Sequence, residues 1–305
     1  MKEGIFMYAV IDIGSNTIRL KTYEYENNEL SNVFDKKEFA GLASFVDKFG
    51  NLTEEGILKC LEVLKEYKEC LRSISIDKLL IFATASLRNI NNTKEVVSRI
   101  KDELDLDIVV LSGVEEAMYD FKGARLKYDL PDGLMIDIGG GSSELLFFKN
   151  NVILYKTSLP IGSLNIYNKC IDEIIPTKGE LSHIKDIVKK YLKGITEITE
   201  DYPDVCGIGG TIRSALKVKN KLFKETDEET LTYDEVKEML DMSRDDSYNW
   251  QLAILKIIPE RIFTFTPGLM ILKTIMKYYK SKKVYVSNYG VREGYLLAKL
   301  EEEKQ

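Results

Sequence analysis

The sequence predicts an α/β protein of two lobes, each running β-β-β-α-β-α-β-α, with a cleft between them. Three observations lead there. A phrase is duplicated: residues 8–20 read YAVIDIGSNTIRL and residues 134–148 read LMIDIGGGSSELLFF, so Ile-Asp-Ile-Gly recurs from Ile11 to Ile136. A hairpin signal follows each copy, Tyr25-Glu-Asn27-Asn28-Glu in the first and Lys149-Asn150-Asn151 in the second. Helical and strand patterns then alternate through the rest of each half.

In order, the first copy gives two strands and a third running to about Asp35. Thr53 starts a helix that puts Ile57, Cys60, Leu61, Leu64 and Leu71 on one face. Lys78 to Thr84 reads as a strand, Thr93 to Leu104 as a helix, Asp107 to Leu111 as a strand and Gly113 to about Arg125 as a helix. After the second copy, Thr177-Lys-Gly-Glu180 is a capping box that opens a helix. Asp204 to Ile208 is a strand, with a helix from Thr211 onward. Thr232-Tyr-Asp-Glu235 is a second capping box, Lys283 to Ser287 a strand and Val291 onward a helix. The lobes are expected to span 1–128 and 129–305, divided near Asp129-Leu-Pro-Asp132. The last helix carries an apolar stripe at Tyr295, Leu296 and Leu300 and is expected to pack back on the hinge.

Composition fits this size. The 305 residues are 44% hydrophobic and 30% charged, ordinary globular usage with enough apolar material for two cores. The net charge of −6, from 43 basic and 49 acidic residues, argues against a nucleic-acid partner. An anionic substrate would need local cations, backbone amides or a metal to overcome that charge. No signal-peptide core follows Met1-Lys-Glu-Gly4, and no apolar run approaches the ~20 residues of a membrane span, so a cytoplasmic protein without a membrane partner is expected. Cys60, Cys70, Cys170 and Cys206 form no C-x-x-C pair. Cys60 and Cys70 stand about 15 Å apart along one helix and cannot bridge. The lone histidine, His183, excludes a multi-histidine metal site and reads as an ordinary surface or half-buried residue.

The chemistry concentrates at the repeated turns. Backbone amides freed by a tight turn can point at phosphate oxygens, and glycine lets the phosphate approach. That nominates the turn at Gly14 and the turn at Gly139, Gly140 and Gly141. Asp12 and Asp137, beside the turns, can hold Mg²⁺ directly or through water. A third turn, Gly207-Ile-Gly209-Gly210-Thr211, joins a strand to a helix, an anion-binding context or simply a close-packed cap. In Ser112-Gly-Val-Glu115-Glu116-Ala, Glu115 has capping-box spacing from Ser112. Glu116 is turned by ~100° and is free to face the cleft and deprotonate a water, unless it is an ordinary first-turn acid. Arg88, after a buried strand, can bind phosphate bidentately or form a surface ion pair. Arg213, Lys217, Lys219, Lys221 and Lys224 form a basic run that reads as a solvated helix face or as a guide for a polyanion.

At these residues the chain resembles the exopolyphosphatase/guanosine pentaphosphate phosphohydrolase family of the actin–hexokinase–chaperone ATPase superfamily. The matching elements are IDIGSNTIRL at 11–20, ATASLRNINN at 83–92, LSGVEEA at 111–117, MIDIGGGSSEL at 135–145, GIGGTIRSA at 207–215 and VSNYGVREGYLL at 286–297. The resemblance implies two ribonuclease-H-like (actin-like ATPase) lobes. It places the catalytic glutamate on Glu116, metal-associated acids on Asp12, Asp137 and Glu144, and phosphate contacts on Ser15, Asn16, Arg88, Gly139, Gly140, Gly141 and Ser142. It implies Mg²⁺ or Mn²⁺ as cofactor and release of terminal phosphate from polyphosphate or guanosine pentaphosphate. A small-molecule kinase of the same fold and a non-catalytic alarmone or nucleotide sensor are the alternatives. Two departures from the family stand out: Gly41-Leu-Ala-Ser-Phe45 in one wall, and Ile212 in the third turn. The chain also stops at Gln305 without the helical domains of longer members, so either a weaker grip on long polymer, as a monomer acting on short chains, or a homodimer that supplies part of the polymer-binding surface is expected.

Overall fold

The computed structural model describes residues 6–26, 29–128, 130–224 and 229–303. The chain divides into two compact units, Met1–Ser112 and Gly113–Gln305. Asn27 and Asn28 of the first expected hairpin, and Asp129 of the expected boundary, lie outside the described residues.

The first unit holds β1 (Phe6–Ile13), β2 (Ile18–Glu26), β3 (Glu29–Glu38), α1 (Glu54–Leu71), β4 (Lys78–Ala83), α2 (Ala85–Arg88), α3 (Thr93–Leu104) and β5 (Val109–Val110). Its sheet order is β3-β2-β1-β4-β5. β1 is central, antiparallel to β2 and parallel to β4, which explains why Ala9, Val10 and Ile11 form a continuous apolar run rather than an alternating one. Thr53 caps α1 by accepting the Gly56 N–H at 3.3 Å, and Ile57, Cys60, Leu61 and Leu64 are buried under the sheet. β5 is shorter than its apolar run suggests. It is an edge strand, continued only by the Leu111 N–H donating to the Ala83 carbonyl.

The second unit begins with α4 (Gly113–Ala124). It continues with β6 (Gly133–Ile138), β7 (Ser143–Lys149), β8 (Val152–Leu159), α5 (Ser163–Cys170), α6 (Lys178–Lys193), β9 (Asp204–Ile208) and α7 (Gly209–Leu222). It ends with β10 (Thr230–Thr232), α8 (Tyr233–Asp245), α9 (Ser247–Ile257), α10 (Phe265–Tyr278), β11 (Lys283–Val286) and α11 (Val291–Glu302). The sheet order is β10-β11-β9-β6-β7-β8. Read from β8 inward, its first five strands repeat the order of the first unit, with β10 added at the far edge. Both units thus share the strand order of a ribonuclease-H-like lobe. Asn150 and Asn151 both have positive φ, 50° and 62°, and join β7 to β8 in a two-residue type I′ turn. Both capping boxes, Thr177 with Glu180 and Thr232 with Glu235, are formed.

The unit boundary falls before α4, not at 128/129. The reason lies in the packing of α4 on α11. A Cβ on Gly123 would come 2.1 Å from the Gly290 carbonyl, and one on Gly294 would come 1.8 Å from that of Tyr119. These glycines let the two helices lie nearly backbone to backbone. Tyr295, Leu296 and Leu300 are buried, so the last helix packs back on the element that precedes the expected hinge. Among the described residues, no helix is long and apolar enough to cross a membrane.

Candidate active site

The duplicated turns have the same local construction. In the first, the Gly14 N–H donates to the Thr17 carbonyl at 3.0 Å; in the second, the Gly139 N–H donates to the Ser142 carbonyl at 3.0 Å. The element that follows each third strand ties down the turn's carbonyls. Gly41 and Ala43, at the 3₁₀ turn Leu42–Phe45, donate to the Asn16 and Ser15 carbonyls at 3.0 Å each. Ser163 donates to the Gly139 carbonyl at 2.9 Å, Leu164 and Asn165 to that of Gly140 at 3.0 Å, and the Asn165 side chain to that of Gly141 at 2.8 Å. A turn held by its carbonyls presents its amide edge to an anion. The departing segment Gly41–Phe45 therefore acts as the brace of the first turn, and Gly41 takes the left-handed conformation this requires, at φ 59°.

Within the first unit, Asp12 lies on β1 opposite Arg19 of β2. Ser15 is buried, and Asn16 Nδ2 is a buried donor with no hydrogen-bond partner among the described residues. The Thr84 N–H and Ser86 Oγ both donate to the Ile13 carbonyl, which seats α2 against the end of β1. Arg88, at the end of α2, is half-buried and anchored by Nη1 to the Leu111 carbonyl at 3.0 Å. Asp12, Ser15, Asn16 and Arg88 thus all lie at the carboxyl ends of β1 and β4, where open α/β sheets bind ligands.

Within the second unit, Asp137 and Glu144 are direct cross-strand partners on β6 and β7. Glu144 is buried and accepts from Ser158 Oγ at 2.7 Å. On α4, Glu115 is exposed whereas Glu116 is buried, as their angular separation on the helix requires. One turn later, Asp120 is fully buried, and neither carboxylate oxygen has a hydrogen-bond partner of normal geometry among the described residues. Burial above all, then the charges of Asp137, Glu116 and Glu144, pushes the Asp120 carboxyl well above the usual carboxylate range, against the pull of the Val291 amide. Four acids therefore share one electrostatic neighbourhood. Asp120 escaped the sequence reading, although its spacing of four residues from Glu116 puts both on one helix face.

The third turn joins this neighbourhood. Gly209 has φ 85°, and a Cβ there would meet Asp137 Oδ1 at 1.8 Å. A Cβ on Gly210 would meet the Arg261 guanidinium at 1.9 Å, so an arginine distant in sequence lies over the turn. Ile212 is fully buried and packs toward Gly207, so its size serves the core. The basic run is not one solvated face: Lys219 is fully buried and pairs with Glu235 at 3.2 Å. Arg213 donates to the Ser287 carbonyl, and His183 is exposed. Among the described residues, no three His, Cys, Asp or Glu side chains form a ready-made metal cage.

The sequence profile of the Ppx/GppA phosphatase family matches residues 22–303. The chain is 29% identical over 313 aligned positions to a bifunctional 3-dehydroquinate synthase/phosphatase of Fusobacterium nucleatum, covering 97% of this chain and 47% of that protein. It is 25% identical to a guanosine-5'-triphosphate,3'-diphosphate pyrophosphatase of Vibrio cholerae, covering 98% of this chain and 60% of that one. It is 23% identical to exopolyphosphatase 1 of Mycobacterium tuberculosis, covering 97% and 88%. The chain thus spans about half to three-fifths of the first two relatives. The solved Aquifex aeolicus PPX-GPPA enzyme superposes with a TM-score of 0.79 at 26% identity, covering 97% of this chain and all of that one.

Proposed function

Because the chain belongs to the Ppx/GppA phosphatase family, we propose that it is a phosphohydrolase. It releases the terminal phosphate of a phosphoanhydride, either inorganic polyphosphate or guanosine pentaphosphate. The observation that carries this reading is the burial of Glu116, beside an exposed Glu115, among Asp120, Asp137 and Glu144. A carboxylate set there can take the proton of an attacking water. The water oxygen bonds to the terminal phosphorus, the bond to the bridging oxygen breaks, and the shortened chain leaves with that oxygen. In the second unit the amide edge of the Gly139 turn can donate to phosphate oxygens; in the first unit the Gly14 turn, Asn16 Nδ2 and Arg88 offer donors of the same kind. The relatives named as an exopolyphosphatase and a guanosine pentaphosphate pyrophosphatase support the two substrate classes.

The donor set suits a divalent cation. Asp137, half-buried, and Glu144, buried, are two acids set opposite each other, an arrangement that favours a cation. With no protein cage among the described residues, the remaining ligands would be phosphate oxygens and water, the usual habit of Mg²⁺. Asp137 and Glu144 would hold Mg²⁺ or Mn²⁺ in the second unit; within the first unit, Asp12 is the acid proposed for the same role. When bound, the ion would neutralise charge on the phosphoryl oxygens. We place the enzyme in the cytoplasm, in keeping with four free cysteines, and propose a homodimer, which its mass in solution will test.

The test offers the purified chain with Mg²⁺ long polyphosphate, tripolyphosphate, guanosine pentaphosphate, and ATP with candidate acceptors. Free phosphate from a phosphoanhydride is expected. Transfer to an acceptor without phosphate release would replace hydrolysis with kinase chemistry.

A further inference from the structure

A second concentration of charge lies in the second unit, away from the turns. α6, α8 and α10 enclose a groove of about 740 Å³. Among the described residues, every charged one that lines it is a cation, seven lysines and one arginine, in a chain of net charge −6. Lys185, Lys189 and Lys193 follow one another at four-residue steps on α6, Lys273 and Lys277 do so on α10, and Lys237 faces in from α8. Like charges four apart on a helix oppose its formation. Among the described residues none of the six forms a salt bridge, so this cost is not offset by pairing. Arg244, also in the lining, is paired with Asp241. Burial, together with the Arg244, Lys237 and Lys277 cations, holds Lys273 below the usual lysine range, with Asp241 pulling the other way. Such a site lacks an anion.

The groove's shape narrows the choice of anion. From Lys178 to Lys193 the lysine-bearing edge of α6 runs about 22 Å at 1.5 Å per residue, which suits an extended chain rather than a single phosphate. Lysine ammoniums are point charges without the planar fork that selects a particular oxygen geometry, so they fit closely spaced, repetitive phosphates. Concave walls on three helices suit a thread better than a flat membrane. α10 links the groove to the catalytic side. Gly268 near its start packs on Thr211 of the third turn and Ser163 behind the second, while Lys273 and Lys277 lie one to two and a half turns further along.

We propose that the groove between α6, α8 and α10 is an exosite for linear polyphosphate, holding a distal stretch of the polymer whose end is hydrolysed elsewhere. The assignment rests on the phosphohydrolase reading for the choice of polyphosphate. The exosite makes long chains better substrates than short ones and makes that preference sensitive to salt, which screens over about 10 Å at 0.1 M.

The test is the full chain carrying Lys185→Gln, Lys189→Gln and Lys277→Gln together, all at sites that are exposed or half-exposed. Binding of fluorescent long-chain polyphosphate is measured without turnover in EDTA, alongside KM and kcat with Mg²⁺. The triple variant is expected to bind long chains about tenfold more weakly and to raise their KM by about the same factor. Its kcat and its KM for tripolyphosphate should stay as in the parent. Unchanged long-chain binding in a folded triple variant overturns the exosite. So does tighter binding of an RNA oligonucleotide, or of phosphatidylserine vesicles, that is lost in the same variant. If no phosphoanhydride is turned over but polyphosphate binding still falls in the variant, the exosite stands and the catalytic reading fails.

Discussion

Gly209 lies directly against Asp137: a methyl on its α-carbon would come within 1.8 Å of the Asp137 carboxylate, and its φ of 85° is one that side chains rarely adopt. The third glycine turn is thus built around the second repeat's aspartate, and two sequence features 70 residues apart, at 137 and 207, form one piece of structure. Gly209→Ala must either displace the carboxylate or rotate the turn. We expect a stability loss of about 1–3 kcal/mol from the strained backbone, with a larger proportional loss of kcat. Urea melts alongside steady-state kinetics check this; an alanine variant with parental kcat would separate the turn from the chemistry.

Glu115 and Glu116 are adjacent but differently placed, and this makes the pair a self-controlled experiment. Glu116→Gln should lower kcat by ~10²–10⁴-fold with substrate affinity retained. Glu115→Gln, on the exposed face, should leave kcat within about twofold and stability within ~0.5 kcal/mol. The reverse pattern in two folded variants would move the base to Glu115.

The sequence made these positions legible because the repeat fixes a strand–turn–strand with its acid, and because helix geometry separates neighbouring glutamates. It showed the opening three strands of each half as well, since each copy carries its own hairpin. What it hid has physical causes. α10 has 11 of its 14 residues buried, so its apolar positions are too many and too continuous to show a clean amphipathic period. Lys219 looked like part of a charged face because charge alone does not reveal a buried partner on another helix. Arg261 over Gly210 is a contact between distant segments, and no local pattern announces it.

Lys219 is fully buried and forms an ion pair with Glu235 at 3.2 Å. Glu235 also accepts from the Thr232 N–H at the start of α8, so the pair ties α7 to that cap. Lys219→Met keeps the stem and removes the charge. Breaking a buried pair costs about 3–5 kcal/mol when the abandoned ion is fully enclosed. The Glu235 side chain is 20% exposed, so water offsets part of this and we expect a loss of about 2 kcal/mol. Adding Glu235→Gln should recover part of it in a double-mutant cycle, and strict additivity would show that the two side chains do not couple.

Asp137 and Glu144 are expected to lose their cation in EDTA. Activity should fall to background and return on addition of Mg²⁺ or Mn²⁺. Glu144→Gln should raise the metal concentration needed for half-maximal rate by about 10–100-fold. Full turnover in EDTA would remove the metal from the mechanism.

Asp120 supplies a pH test that needs no substrate. Its carboxyl is held well above the usual range in the folded protein, first by burial and then by Asp137, Glu116 and Glu144. Folding therefore takes up a proton wherever the unfolded acid is ionised. The stabilising contribution is complete below the ordinary aspartate value and is lost as pH rises from there toward the folded value. The parent protein should consequently become less stable as pH climbs through that window. Asp120→Asn keeps the shape of the protonated acid but cannot ionise, and it also relieves the charge on its three acidic neighbours. Its unfolding free energy should fall less steeply with pH than the parent's, so that the variant is relatively more stable at neutral pH than in acid. Urea denaturation of both proteins from about pH 5 to 8 reads the two slopes directly. Parallel slopes would mean that Asp120 is ionised in the fold, compensated by a cation held among the four acids, and repeating the titration in EDTA would then reveal the steeper slope.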